Sequence, residues 1–219
     1  MNSGFPIDLL LFGMIAAFLI LRLRSILGRR TGFERTQGPV QVPGLGRTSA
    51  PVIDGRAEPA APSRPLPDPA SEAGTVLVRM RTMDRNFDPA RFLSGAEAAF
   101  RMIVGAFAAG DRVALRPLLA DETYRSFEQA IAAREAEGQT QRTEIRAINQ
   151  VSIEAATLTG TIGGITTKFI SDQIAETLDR QGKPVAGTDA VTEITDLWTF
   201  ERDLAQSDPA WRLTAARSG

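Results

Sequence analysis

The side chains that most often carry catalysis or bind metals are scarce in this chain. Cysteine and histidine are both absent from its 219 residues, which excludes disulfides, thiolate nucleophiles, Cys-ligated zinc and imidazole bases. Lysine occurs only at Lys168 and Lys183, against 23 arginines, and arginine stays protonated, so it is a poor base. Carboxylates, hydroxyls and one tyrosine remain. The composition therefore argues against an enzyme, and we expect no cofactor and no metal.

Tyr124 is the one tyrosine, and its hydroxyl could donate a hydrogen bond inside a pocket. Its place on an apolar helical stripe favours core packing instead. Trp198 and Trp211 fit the core of a sheet first and a pocket wall second. The residues expected to line a hydrophobic pocket, if residues 75–219 enclose one, are Phe100, Phe107, Tyr124, Phe127, Trp198, Phe200 and Trp211.

Charge divides the chain into two parts. Residues 22–64 hold eight arginines against three acidic residues, whereas residues 87–219 hold 14 basic and 19 acidic side chains. Neutralising phosphates needs a basic face, so an acidic C-terminal part is a poor nucleic-acid binder. We therefore expect no nucleic acid among its partners.

Residues 5–23 predict a transmembrane helix. No residue from Leu9 to Leu21 is charged, and 19 helical residues span about 28 Å, close to the bilayer core of about 30 Å. A buried core helix is the alternative. Arg22, Arg24 and further arginines follow the apolar run and none precedes it, so the positive-inside rule places residues 1–4 outside and the C-terminal part in the cytoplasm. The expected location is a bacterial inner membrane, crossed once.

Residues 24–74 predict a linker that is first basic and then rich in proline. Eight of the 13 prolines fall between positions 37 and 70, and apolar residues there occur singly. Such a stretch buries too little surface to offset its ordering entropy, so we expect a disordered tether before a domain at 75–219.

Residues 75–87 predict a short amphipathic helix at the start of that domain. Its apolar residues recur at helical spacing and its arginines project from other faces. The pattern fits a helix that contacts a membrane surface or a partner, and it fits equally a helix docked on its own domain. The predicted contact residues are Val76, Leu77, Arg79, Met80, Arg81, Met83, Arg85 and Phe87.

Further helices, and then strands, follow. Capping side chains predict helix starts at Asp88, at Ser94 (in a capping box with Glu97), at Asp111 and at Asp121, with ends at Gly110 and Gly138. After Thr140 the apolar period falls to two, and strands are predicted around 151–156, 162–178, 191–202 and 211–213. Helices followed by an antiparallel meander predict an α+β domain whose curved four-stranded sheet curls around the helices.

An ordered set of short segments in this region resembles a known family. The segments are Phe87–Phe100, Phe107–Asp111, Leu115–Leu119, Tyr124–Phe127, Trp198–Arg202 and Trp211–Leu213. They are similar to the C-terminal domain of the peripheral adaptor of the mitochondrial inner-membrane import motor, translocase subunit Tim forty-four, and to its bacterial TimA-type relatives.

The resemblance implies a fold and a role without a reaction. The fold is the cystatin-like, nuclear-transport-factor-two-like cone with a hydrophobic pocket. The role is an adaptor or scaffold at an energy-coupled inner membrane, linked to protein translocation or membrane-protein assembly. Its implied partners are anionic lipid, cardiolipin among them, and an unidentified protein partner or client. The source implied is an alphaproteobacterium. The alternative is a pocket-bearing ligand-binding or isomerase-type enzyme on the same fold.

Overall fold

The computed structural model describes residues 61–218. The predicted span and most of the predicted linker lie outside these residues. The described elements are α1 (Glu72–Met83), α2 (Pro89–Ala109), α3 (Arg112–Leu115), α4 (Asp121–Ala136), β1 (Thr140–Thr159), β2 (Ile162–Leu178), β3 (Pro184–Asp203) and β4 (Arg212–Ser218). The predicted α+β class is confirmed.

Several helix boundaries follow directly from local sequence signals. The Asp88 carboxylate accepts a hydrogen bond of 2.7 Å from the backbone N–H of Arg91 and caps α2. Gly110 ends α2 with φ of 71°, a left-handed conformation that glycine adopts without strain. Asp111 then caps α3 by accepting from the Ala114 N–H. These three predictions are confirmed.

Other predicted boundaries are wrong. Residues 94–97 do not open a helix, because α2 runs through them; the Ser94 hydroxyl donates to the carbonyl of Ala90, one turn back. The cap of α4 is Ala120, and Asp121 is its first helical residue, where a negative charge favours the helix dipole. The helix predicted at 75–87 begins at Glu72 and ends at Met83 instead.

The sheet is a meander in the order β1-β2-β3-β4, with every neighbouring pair antiparallel. β2 has the bounds that the sequence predicted. Three register irregularities between β1 and β2 bend the sheet, as bulges do. β4 pairs only with Asp196–Glu201, so the first half of β3 extends beyond β4.

The core lies between α2 and the concave face of the sheet. Phe100 of α2 stacks on Phe169 of β2 with ring centroids 4.4 Å apart and contacts Trp198 of β3 at 4.7 Å. Both phenylalanines are fully buried. Stacked and tilted ring contacts of this kind stabilise a core beyond the area they bury.

Each outer edge of the sheet receives one short parallel bridge from an upstream segment. On β4, Leu213 donates to the carbonyl of Leu118 and accepts from the N–H of Ala120, both at 2.9 Å. On β1, Ser63 donates to the carbonyl of Asn149 at 3.1 Å and accepts from the N–H of Val151 at 2.9 Å. The last part of the predicted linker is therefore docked on the domain.

Candidate functional site

Helix α1 packs across the sheet and is held at both ends. Its N-terminal cap is Ser71, whose hydroxyl accepts from the Gly74 N–H at 3.0 Å. A Cβ on Gly74 would lie 2.0 Å from the carbonyl oxygen of Asp68, so only glycine fits beneath the preceding turn. Leu77 and Met80 are buried against the domain. The orientation of α1 is therefore fixed, and with it the set of residues it exposes.

An ion pair between Asp84 and Arg202 holds the C-terminal end of α1 on β3. Both side chains are largely buried, and the Arg202 guanidinium lies over the Trp211 ring, 5.5 Å from its centroid. The backbone N–H of Asn86, and then Arg202, lower the pKa of Asp84 below its ordinary value. The Arg202 Nε is buried and finds no acceptor within residues 61–218. This pair closes the end of α1 against the sheet.

The outward face of α1 is basic and partly apolar. Val78 is 56% exposed and Met83 48% exposed. Arg79, Arg81 and Arg85 are exposed on the same helix or just after it, and none makes a hydrogen bond or ion pair with another described residue. We call these five residues the α1 outer face. Unpaired guanidinium groups beside exposed apolar side chains suit an anionic, partly apolar surface.

The aromatic side chains that were predicted to line a pocket contact one another. Phe107 and Phe127 meet edge to face at 5.0 Å. Trp211 packs on Phe92 at 4.9 Å and on Phe87 at 5.8 Å. Such contacts fill space in and around the core of the domain, as side chains in close-packed proteins do.

A cleft of about 680 Å³ lies on the surface beside α3 and the start of β4. Three of its seven lining residues are arginines, and Arg116 lies over the Tyr124 ring at 5.0 Å. The hydrogen bond and charge of Arg116 lower the pKa of Asp121, so this carboxylate is ionised at neutral pH and is a weak base. The residues lining the cleft are Arg112, Val113, Arg116, Pro117, Asp121, Tyr124 and Arg212.

A small set of polar side chains lies on β2 and β3, next to the aromatic residues Phe169 and Trp198. Gln173 donates to the Ser171 hydroxyl at 2.8 Å and to the Asp196 carboxylate at 3.4 Å. The fully buried Thr167 hydroxyl has no hydrogen-bond partner within the described range. Period-two patterning places these residues on a strand but does not distinguish a buried polar residue from an exposed one, so sequence reasoning missed them.

The family model of the Tim44-like domain matches residues 73–218. The chain belongs to the Tim44-like domain family. Domains of this family are generally non-catalytic adaptor domains that bind membranes and proteins. The predicted resemblance is confirmed, and the match begins one residue after the start of α1.

Three solved structures show likeness to the Tim44-like domain. The intermembrane space region of the chloroplast protein ARC6 is 12% identical, with a TM-score of 0.41, and the match covers 57% of this chain and 94% of that one. A putative dehydratase of the NTF2-like family from Streptomyces avermitilis is 14% identical, with a TM-score of 0.34 and coverage of 60% and 96%. A putative ketosteroid isomerase from Shewanella frigidimarina is 15% identical, with a TM-score of 0.31 and coverage of 56% and 92%. A comparison with curated protein sequences gives no match.

The Tim44-like domain buries part of the predicted membrane-contact set. Leu77, Met80 and Phe87 belong to its hydrophobic core, and Val76 packs against that core. These side chains face the domain, because the apolar stripe of α1 packs against the domain's own core. Within the predicted set, the α1 outer face keeps Met83 and the three arginines available.

The seven residues predicted for the pocket also divide. Phe100, Trp198 and Phe200 are buried core residues. Phe107, Phe127 and Trp211 are half-buried against the same core, and only Tyr124 reaches the cleft. The structure therefore places most of this set in packing contacts rather than around one cavity.

Within the part of the chain described, α2 alone is long and apolar enough to cross a bilayer, with 21 residues and a mean hydropathy of 1.3. Its residues Leu93, Phe100 and Ile103 are buried in the domain core, as expected of the central helix of a folded domain. The predicted span at residues 5–23 lies outside the described residues.

Proposed function

We propose that this protein is a membrane-anchored adaptor. Residues 5–23 hold it in a bacterial inner membrane, and its Tim44-like domain stands at the cytoplasmic face. There the domain contacts anionic lipid and a protein partner or client in protein translocation or membrane-protein assembly. The proposal rests on the family and, above all, on the α1 outer face.

The α1 outer face supports lipid contact for a physical reason. Its three arginines have no protein partner in the described part of the chain, so no existing ion pair must be broken for them to meet a phosphate. Each basic residue near an anionic surface contributes about 1 kcal/mol, so three raise affinity about 100-fold. Val78 and Met83 can enter the headgroup boundary beside them. The contact would orient a domain that the span already holds at the membrane.

A fluorescence experiment tests the lipid contact. The chain lacks cysteine, so Val78→Cys places one environment-sensitive dye on α1 in the full-length protein in nanodiscs. We expect a blue-shifted emission in discs containing cardiolipin, reversed by salt, and little shift in phosphatidylcholine discs. Replacing Arg79, Arg81 and Arg85 with Ser should abolish the shift.

The matched control removes three exposed arginines elsewhere, Arg91, Arg125 and Arg217, and should leave the shift intact. An equal shift in neutral discs, or equal loss in both triple variants, would contradict the specific role of the α1 outer face. In that case general charge or simple proximity explains the contact.

The proposed topology has its own test. Protease added to spheroplasts should leave the Tim44-like domain intact, because the arginines after Leu21 keep it in the cytoplasm. Digestion of the domain from the outside would overturn this topology.

A further inference from the structure

We propose that the outer edge of β1 and the Glu97 carboxylate of α2 form a binding site for an extended, arginine-bearing segment. The end of the chain's own linker, residues 62–64, occupies this site as a releasable clasp. The clasp itself rests on contacts within the described residues and not on the proposed membrane role.

The backbone of Ser63 supplies the first half of the site. It exchanges two hydrogen bonds with β1, one to the Asn149 carbonyl and one from the Val151 N–H. Pro65 has no N–H to donate, so the pairing cannot extend further along the linker in that direction. One bridge of this kind is short, and the segment from Ser63 to Leu66 is exposed. The backbone bridge of Ser63 is therefore weak unless a side-chain contact stabilises it.

Arg64 supplies this side-chain contact by pairing with Glu97. Its Nη2 and Nε donate to the same oxygen of Glu97, at 2.5 and 3.2 Å. The other Glu97 oxygen accepts from Arg101 one turn along α2 at 3.4 Å, a longer and weaker contact. Glu97 is only 8% exposed, and a carboxylate so placed needs a cation close by. The site thus selects an arginine directly after the bridging residue.

The linker is well suited to open and close. Pro62 and Pro65 hold it extended at low entropic cost, because proline fixes φ. The α1 cap at Ser71 lies eight positions after Ser63, and an extended chain of that length reaches at most about 26 Å. If the proposed membrane anchoring holds, opening the clasp lets the domain move about that much farther from the bilayer.

Hydrogen exchange on the full-length protein in nonionic detergent micelles tests the clasp without any anionic lipid. Arg64→Ser should speed exchange of the Val151 amide about twofold, as expected for loss of an ion pair whose arginine is more than a third exposed. Glu97→Gln should act in the same direction. Exchange of the Leu213 amide, which donates at the other edge of the sheet, should not change.

Arg91→Ser is the matched control, since it removes an exposed arginine from α2, the helix that carries Glu97, and does not alter the clasp. Unchanged Val151 exchange in Arg64→Ser would overturn the proposal. An equal rise at Val151 and Leu213 would also overturn it, because the variant would then loosen the whole domain. Since the micelles are neutral, failure here is separate from failure of the proposed lipid contact.

Cross-linking gives an independent readout. In this cysteine-free chain, Ser63→Cys with Gln150→Cys should form a disulfide readily under mild oxidation. The same pair should cross-link about twofold more slowly when Arg64→Ser is added. Equal cross-linking rates in the two backgrounds would show that Arg64 does not hold the clasp.

Discussion

The two outer edges of the sheet are each closed by one short parallel bridge, and the side chains at the two bridges are very different. At the β4 edge, Leu119 pairs with Leu213, and both are fully buried. At the β1 edge, Ser63 pairs with Gln150, and Ser63 is exposed. Two backbone hydrogen bonds close each edge. We therefore expect the β4 closure to be the stronger one, because burial of the leucines adds to its hydrogen bonds.

The difference follows from where each closing segment comes from. Leu119 lies between α3 and α4, so both ends of its segment are fixed by helices. Ser63 is fixed on one side only, by the turn that leads into α1. An unpaired sheet edge invites pairing with another chain, and both segments prevent this locally. Only the β1 edge can be uncovered without unfolding a helix.

The largest effect is expected at the β4 edge. Leu119→Ala removes a fully buried side chain and should lower the free energy of unfolding by about 3 kcal/mol. Urea unfolding of the full-length protein in nonionic detergent, followed by the fluorescence of Trp198 and Trp211, measures it. Val113→Ala, at a site 85% exposed, should change stability by less than about 0.5 kcal/mol. Similar losses in both variants would show that burial of Leu119 does not stabilise the closure of the β4 edge.

The next largest effect concerns the end of α1 remote from the clasp. Asp84→Asn breaks the pair with Arg202 and should cost about 2 kcal/mol at neutral pH, as for a hydrogen bond between charged groups. If α1 is held here, opening of the clasp stops at Ser71 and α1 stays in place. The same unfolding assay measures the loss.

The pH dependence gives this prediction a sign. The folded-state pKa of Asp84 is lowered, so its stabilisation is present above the unfolded value of 3.8 and is lost as pH falls through the folded value. The difference between the native protein and Asp84→Asn should therefore shrink below about pH 4. A difference that stays constant down to pH 3 would contradict a role for the ionised carboxylate.

The sequence was sufficient for features set by local chemistry. The bounds of β2, the caps at Asp88 and Asp111 and the end at Gly110 depend on patterning and on single residues. The capping box at Ser94 was wrong because the same residue pattern also fits the middle of a long helix, where Glu97 has a partner far away in sequence.

The face of α1 was harder to predict for a related reason. An apolar helical stripe looks the same whether it meets lipid or its own sheet, and only tertiary packing selects between them. Leu77 and Met80 pack on the domain, which leaves the arginines outward. The pairing of Arg64 with Glu97 spans 33 residues, a separation that periodicity does not report.

A smaller effect is expected at the turn that lies between the clasp and α1. Gly74→Ala would place a Cβ 2.0 Å from the Asp68 carbonyl oxygen, so the turn before α1 must shift. We expect a loss of about 1–2 kcal/mol despite the better helix propensity of alanine. Gly95 of α2 has open space at its Cβ position, so Gly95→Ala should instead stabilise by about 0.5–1 kcal/mol. A gain in stability in both variants would mean that the turn before α1 shifts without a cost in free energy.

The smallest global effect should come from the clasp itself. Arg64 is more than a third exposed, so Arg64→Ser should change the free energy of unfolding by less than about 0.5 kcal/mol. Opening one sheet edge does not pass through global unfolding, so this small loss also appears as about twofold faster exchange at that edge. Urea unfolding measures the global change, and the Val151 amide reports the local one. If Arg64→Ser costs as much as Leu119→Ala, the two edges are equivalent closures and the clasp is a fixed part of the fold. A small global loss with faster Val151 exchange would show that the β1 edge is closed more weakly than the β4 edge, as the exposure of Ser63 and the burial of Leu119 predict.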